Sequence, residues 1–139
     1  MGKKRRAPMT VVPSDDFVVK DGGEEYYPHA GESVTFRKRV SPRDLMVIAR
    51  AGDLQNDTEG EKGAAKLARF FHDEACVVLG RAIHSWTWTD PYSDEGTAYP
   101  EPSAEALRDL DAQTELQYLL EKWLGVSNPP EEVQEGNQP

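Results

Sequence analysis

Hydrophobic positions along this chain change period once. Up to about residue 37 they favour alternation, and from Ser41 onward they step by three and four. Phe17-Val18-Val19-Lys20 is a short β-type run, closed by the strong turn signal Asp21-Gly22-Gly23. Pro28-His29-Ala30-Gly31 makes a second turn. Ser33-Val34-Thr35-Phe36-Arg37 then alternates, with Val34 and Phe36 on one face and Thr35 and Arg37 on the other. A small antiparallel hairpin or meander within residues 10–37 is the economical reading, and strands this short must lean on helices.

Ser41-Pro42-Arg43-Asp44 has the chemistry of a helix start: a hydroxyl cap, proline at the first helical position and an acid in the first turn. It predicts a helix over 42–51, with Leu45 and Ile48 leading its apolar side, joined by Met46 and Ala49, and Gly52 as its stop. Gly52 to Gly63 reads as a polar loop. The longest helix is expected over 64–86, where Leu67, Phe71, Ala75, Val78, Ala82 and Trp86 form one stripe widened by Phe70, Val77 and Ile83. A stripe so wide is either the spine of the domain or partly a contact face. Ser103 caps a short helix over 104–110. Asp111 recaps a second one over 112–124, with Leu116, Leu119, Leu120 and Trp123 on its buried face and Gly125 just past its end. The expected fold class is α-rich α+β: an N-terminal hairpin or meander, four helices, a flexible basic leader (1–9), one domain (10–125) and a disordered Pro/Glu-rich tail (126–139).

Between the last two helical patterns and the long one lies the most informative stretch, Trp86-Thr87-Trp88-Thr89-Asp90-Pro91. Two of the three tryptophans stand two residues apart, an arrangement that shares one face on a strand and cannot on a helix. A polar turn follows (Tyr92-Ser93-Asp94-Glu95-Gly96), then the rigid Tyr99-Pro100-Glu101-Pro102. As the end of the helical stripe, Trp86 is expected to be buried, and its deletion to cost about 3 kcal/mol or more. Trp88 is less determined. Large aromatics beside an acidic turn also have the composition of a protein–protein hot spot.

Composition narrows the classes of function. The net charge is −9 over 139 residues, but Lys3, Lys4, Arg5 and Arg6 hold four of sixteen basic residues; the remaining twelve face twenty-five acids, a net of −13. A body that acidic repels a nucleic-acid backbone, so no nucleic-acid partner is expected. One cysteine, Cys76, excludes an internal disulfide. No apolar run reads as a signal peptide or a membrane span, so the expectation is a soluble, cytoplasmic protein with no membrane partner.

Candidate chemistry is thin. His72 and Cys76 are four apart and could share a metal with His84, but no second cysteine or paired-ligand motif supports a zinc site, and no metal or cofactor is expected. Cys76 stands among Val77, Val78 and Leu79, where a thiolate is disfavoured. The acidic pairs Asp15-Asp16, Glu24-Glu25 and Asp94-Glu95 fall in turns without calcium-loop spacing. No phosphate loop, nucleophile elbow or dinucleotide fingerprint occurs, so the expectation is a protein that is not an enzyme.

One resemblance goes further. Trp86-Thr87-Trp88-Thr89-Asp90, Gly96, Pro100-Glu101-Pro102-Ser103, Leu107 and Leu110 resemble the signature of tail assembly chaperones of long-tailed, siphovirus-type bacteriophages. Tyr26-Tyr27-Pro28-His29-Ala30-Gly31-Glu32 and Val34 resemble the proline–glycine–glutamate turn of the same family. The longer turn through Pro91-Tyr92-Ser93 and the basic leader depart from that pattern. The resemblance implies a non-enzymatic protein that coats the tape measure protein, recruits tail tube subunits and is absent from the mature virion; self-association is compatible with it. Trp88, Tyr92 and Tyr99 are large apolar groups in a turn-rich segment with no evident intramolecular partner, and partner contacts are expected at Trp86, Trp88, Asp90, Tyr92, Tyr99, Pro100, Pro102 and Leu107. The competing readings are a permanent virion component of the tail or neck, an acidic mimic of nucleic acid, and an enzyme.

Overall fold

The structure, a computed structural model, describes residues 7–55 and 60–127 of the chain. It is a mixed α+β fold. Strands β1 (Met9–Pro13), β2 (Val19–Asp21), β3 (Glu24–Tyr26) and β4 (Ser33–Arg37) come first. Helix α1 (Pro42–Gln55) follows, then α2 (Gly60–Phe70), a π-helical turn (Phe71–Ala75) and α3 (Cys76–Ala82) in unbroken succession. Strand β5 (Ile83–Trp86), a short α4 (Ala104–Leu107) and α5 (Glu115–Ser127) complete it.

The expected N-terminal β region is present as two pieces. β2 and β3 form a hairpin whose two turn residues, Gly22 and Gly23, both have positive φ (61° and 85°), the backbone a tight two-residue hairpin requires. β1, β4 and β5 form an antiparallel sheet in that order, with β4 central. Val34 and Phe36 on β4 are buried at 1% and 0% exposure, as the alternation predicts, because β4 is covered on one face only.

The third strand is a correction. The helix expected over 64–86 ends at Ala82, and Ile83–Trp86 instead pairs with β4, Trp86 opposite Val34 and Ser85 opposite Thr35. Open backbone groups along β4 supply a ladder that the helical pattern could not foresee. The same rod departs from α geometry at Phe71–Ala75, where the Cys76 N–H donates to the Phe71 carbonyl five residues back. That extra residue per turn lets the neighbours Phe70 and Phe71 both face inward, at 3% and 4% exposure. The apolar stripe is therefore largely interior, packed against the sheet, α1, α4 and α5, with Leu67 and Val77 half-buried at its edges.

Helix α1 is rotated relative to expectation. Asp44, Val47 and Ala51 are buried and Ile48 partly so, whereas Leu45 and Met46 point outward at 56% and 65% exposure and Ala49 is exposed too. A polar anchor selects that face. Asp44 accepts from the Arg81 guanidinium at 2.8 Å and sits in a reciprocal cap with Ser41, whose Oγ accepts from the Asp44 N–H at 3.1 Å. Neither Gly52 nor Gly125 adopts positive φ, so neither stops its helix: α1 runs to Gln55 and α5 to Ser127. The loop expected over 52–63 thus shrinks, with residues 56–59 outside the described ones. Met9 already pairs with Arg37, and the Pro8 carbonyl accepts from the Lys38 N–H at 3.2 Å, so strand pairing reaches into the expected leader. Residues 1–6 of the expected leader and 128–139 of the expected tail lie outside the described residues.

The buried faces of α4 and α5 pack as their patterns predict. Leu116, Leu119, Leu120 and Trp123 are all at most 5% exposed. Ser103 caps α4 by accepting from the Ala106 N–H at 3.1 Å, and Leu107 is wholly buried. α4 approaches α3 at Gly80, where a Cβ would meet the Ala104 backbone nitrogen at 2.7 Å; only glycine permits that approach.

Candidate functional site

The two stretches singled out above, 26–34 and 86–110, meet in one buried cluster. The β3–β4 turn carries His29 inward, with Gly31 at φ 81° reversing the chain and its N–H held by Asp15 at 2.7 Å. Beyond β5, the Thr87 N–H donates to the Ser33 carbonyl at 2.9 Å, which carries Trp88 to the same side of the extended chain as Trp86. A second hairpin then folds back: Thr89 bridges Ala98, and the Tyr99 N–H donates to the Trp88 carbonyl at 3.1 Å. At its tip, the Ser93 hydroxyl takes N–H groups from Glu95 and Thr97, and Gly96 has φ 64°.

His29, Trp88 and Trp86 form a parallel stack. The imidazole lies 3.9 Å from the Trp88 ring at 6°, and Trp88 lies 5.6 Å from Trp86 at 3°. Phe17, Tyr99 and Tyr118 surround Trp88 with centroids 6.0, 6.4 and 6.2 Å away. The Trp88 indole N–H donates to Ser14 Oγ at 2.8 Å, and that buried serine is held in turn by its own N–H to the Glu32 carbonyl.

Both nitrogens of His29 face carboxylates: Nδ1 to Glu32 at 2.7 Å, Nε2 to Glu115 at 2.8 Å. The two hydrogen bonds join the ring to a carboxylate on either side. The carboxylates are themselves fixed. Glu32 accepts from the Thr89 N–H and hydroxyl at 3.1 and 2.6 Å; Glu115 accepts from the Tyr99 hydroxyl at 2.8 Å and the Asp111 N–H at 3.2 Å. Asp111 completes the cap of α5 by taking the Gln113 and Thr114 N–H groups. The cluster therefore ties the β3–β4 turn, the second hairpin and the start of α5 into one unit.

Such a site holds rather than reacts. The His29 ring is wholly buried and both nitrogens are occupied, so it has no free nitrogen to offer a substrate. Sequence reasoning missed it as a site, since it depends on Glu115, 86 positions away. The signal within reach was local: a histidine in a Pro-x-Ala-Gly turn with a glutamate three residues on.

The expected contact residues separate. Trp88 (1%) and Leu107 (0%) are interior, which reverses the expectation that Trp86 is the buried tryptophan. Trp86 is half-buried, its N–H donating to the Pro100 carbonyl at 2.9 Å; it stands at a strand end, not on the helical stripe. Tyr99 is half-buried with its hydroxyl spent on Glu115, so neither it nor Trp88 lacks an intramolecular partner. Asp90 is half-buried and receives the Tyr92 N–H at 2.9 Å; Pro102 is half-buried and Pro100 exposed. Tyr92, at 94% exposure on the hairpin tip, is the large side chain of that group most open to a partner.

The other candidates lie apart. His72 is exposed and paired with Asp73, His84 is exposed, and Cys76 is wholly buried. Among the described residues, no group of three His, Cys, Asp or Glu side chains could hold a metal ion, and no helix is long and apolar enough to cross a membrane. Burial pushes the Cys76 thiol up to about 11, against a smaller opposing pull from Arg108. Tyr99 and Tyr118 are also raised, by burial first and then by hydrogen bonds to Glu115 and Asp16. All three groups hold their protons more tightly folded than unfolded, so stability falls as pH rises past the unfolded values, about 8.5 for cysteine and 10 for tyrosine. Urea midpoints are expected to be level from neutral pH to about 8.5 and to fall steadily between about 9 and 11. A level profile up to pH 11 would contradict the burial of these groups.

No protein-family model, curated protein or solved structure matches this chain.

Proposed function

We propose that this protein is a non-enzymatic tail assembly chaperone of a long-tailed bacteriophage, which binds the tape measure protein and recruits tail tube subunits. The observation that carries the proposal is the convergence of the two separate stretches of the resemblance. His29 stacks on Trp88 and Glu32 holds Thr89, so the Pro-His-Ala-Gly-Glu turn and the Trp-Thr-Trp-Thr-Asp run are two halves of one cluster. The prolines and Ser103 then serve as hairpin clamp and helix cap. The shared signature thus works as a signature of fold, and partner contacts fall to surface groups outside it.

Those groups are Tyr92 at the hairpin tip and Leu45 and Met46 on the outer face of α1. Beside Met46 runs a shallow groove of about 220 Å³ between α1 and α3, floored by Val47, Val77 and Val78. An amphipathic helix of a tape measure protein would lay its apolar side there. The test is co-expression with the cognate tape measure protein and pull-down at low and high ionic strength. Capture is expected at both, because apolar burial is screened little by salt. Leu45→Ser with Met46→Ser should weaken capture without unfolding the protein. Absence of a complex at any salt would refute the proposal, and recovery of the protein from purified mature particles would favour a permanent virion component.

A further inference from the structure

The connection from β4 to α1 reads Arg37-Lys38-Arg39-Val40-Ser41-Pro42-Arg43, the densest basic run among the described residues of an otherwise acidic chain. The fold gathers it. β4 ends at Arg37 and α1 begins at Pro42, so the run turns a corner beside the last turn of α3, which contributes Arg81. The result is a half-open cleft of about 750 Å³ lined by Arg37, Arg39, Arg43 and Arg81, with Asp44 as its one carboxylate. That volume lies within the range of small-ligand and peptide sites.

Four guanidiniums against one carboxylate leave a local charge of +3 on a protein of net −9. Their individual states are unequal. Arg81 is neutralised by Asp44 at 2.8 Å. Arg37 is held in place by the carbonyls of Arg81 and Ile83, at 2.6 and 3.2 Å, which fix its fork without cancelling its charge. Arg39 and Arg43 are exposed, and among the described residues neither side chain has a hydrogen bond or ion pair. Like charges gathered this way repel one another unless an anion joins them. Two guanidiniums without partners beside one already oriented form a receptor for oxygens in planar pairs.

We infer that this cleft binds an acidic segment, rich in Asp or Glu, of a partner protein. Carboxylates match the guanidinium fork, and the small surfaces of Pro42, Gly80 and Ala82 leave room for a peptide backbone between the arginines. Nucleic acid fits less well. No aromatic ring lines the cleft for a base to stack on. A polyphosphate chain leaving it would also cross a surface whose net charge repels it. This inference is independent of the apolar groove on the other side of Arg43, and of the chaperone reading.

The test uses the full chain and a fluorescein-labelled peptide of alternating Glu and Gly, followed by anisotropy at low salt. A Gln/Gly counterpart, inorganic phosphate and a short oligothymidylate serve as competitors. The acidic peptide should bind, its affinity should fall with added salt, and the Gln/Gly counterpart should be at least about tenfold weaker. Arg39→Gln with Arg43→Gln should lower affinity at least about tenfold while leaving the thermal midpoint unchanged, since neither side chain holds the fold together. Absence of binding, equal binding of the neutral peptide, or full affinity in the double variant would overturn the inference. Displacement of the peptide by oligothymidylate at lower concentration than by the unlabelled acidic peptide would overturn it in favour of a nucleic-acid ligand.

Discussion

Replacing His29 with alanine is expected to remove about 3–5 kcal/mol of stability, the loss typical when one member of a buried charged network is deleted. Total stability of a domain this size is about 5–15 kcal/mol, so the variant loses from about a fifth to all of it. The reason lies in what stays behind. The side chains of Glu32 and Glu115 are only 18% and 10% exposed, and each would face a void in place of its hydrogen-bond partner. Trp88 would also lose the partner stacked 3.9 Å away. Urea unfolding measures the effect. His29→Gln, which retains hydrogen-bonding reach but not the ring, should recover only part of the loss. A double-mutant cycle with Glu115→Gln should show a coupling of about 1–3 kcal/mol, as contacting network members do. A loss below about 1 kcal/mol for His29→Ala would mean that the cluster is not what joins the hairpins to α5.

Parts of this fold were legible in the sequence for one physical reason: one-sided burial writes a period into the chain. β4 shows it as alternation around Val34 and Phe36, and α5 as the Leu116, Leu119, Leu120, Trp123 face. The failures share a different cause. α1 carries Leu45 and Met46 on its outer side because Asp44 is drawn inward to Arg81, 37 positions away, and a polar residue anchoring a buried face runs against the pattern. Residues 83–86 continue a helical stripe on paper but lie beside a strand with open hydrogen-bonding groups. The spacing of Trp86 and Trp88 pointed to that strand, while the apolar stripe argued for helix. The buried histidine and the basic cleft were hidden in another way. His29 finds its partner Glu115 86 positions away, while the basic run 37–43 is contiguous but is joined by Arg81 only through the fold, and its charge is averaged away in a net of −9. Gly52 and Gly125 misled as helix stops because glycine permits positive φ without imposing it.

Trp88→Ala is the second change expected to have a large effect, about 3–5 kcal/mol, the range for deleting a large aromatic from a core. Trp88 is 1% exposed and stands at the centre of the aromatic cluster, so its removal leaves His29, Trp86, Phe17, Tyr99 and Tyr118 without their common neighbour. It also strips the wholly buried Ser14 hydroxyl of its donor. Trp88→Phe keeps a ring in the stack but not that hydrogen bond, and should cost less, with about 1–3 kcal/mol arising from the unsatisfied group. Trp86→Ala makes the comparison decisive. Its ring is only half-buried, and its bond to the Pro100 carbonyl lies near solvent, so its loss should be less than half that of Trp88→Ala. Equilibrium unfolding of the three variants gives the order, and near-ultraviolet circular dichroism reports whether the stack survives. If Trp86→Ala proved the more destabilising of the two alanine variants, the weight of the core would lie at the end of β5, where the helical stripe had placed it. Any loss of partner capture in Trp88→Ala should accompany unfolding, whereas at Tyr92, 94% exposed, capture should fall with the fold intact.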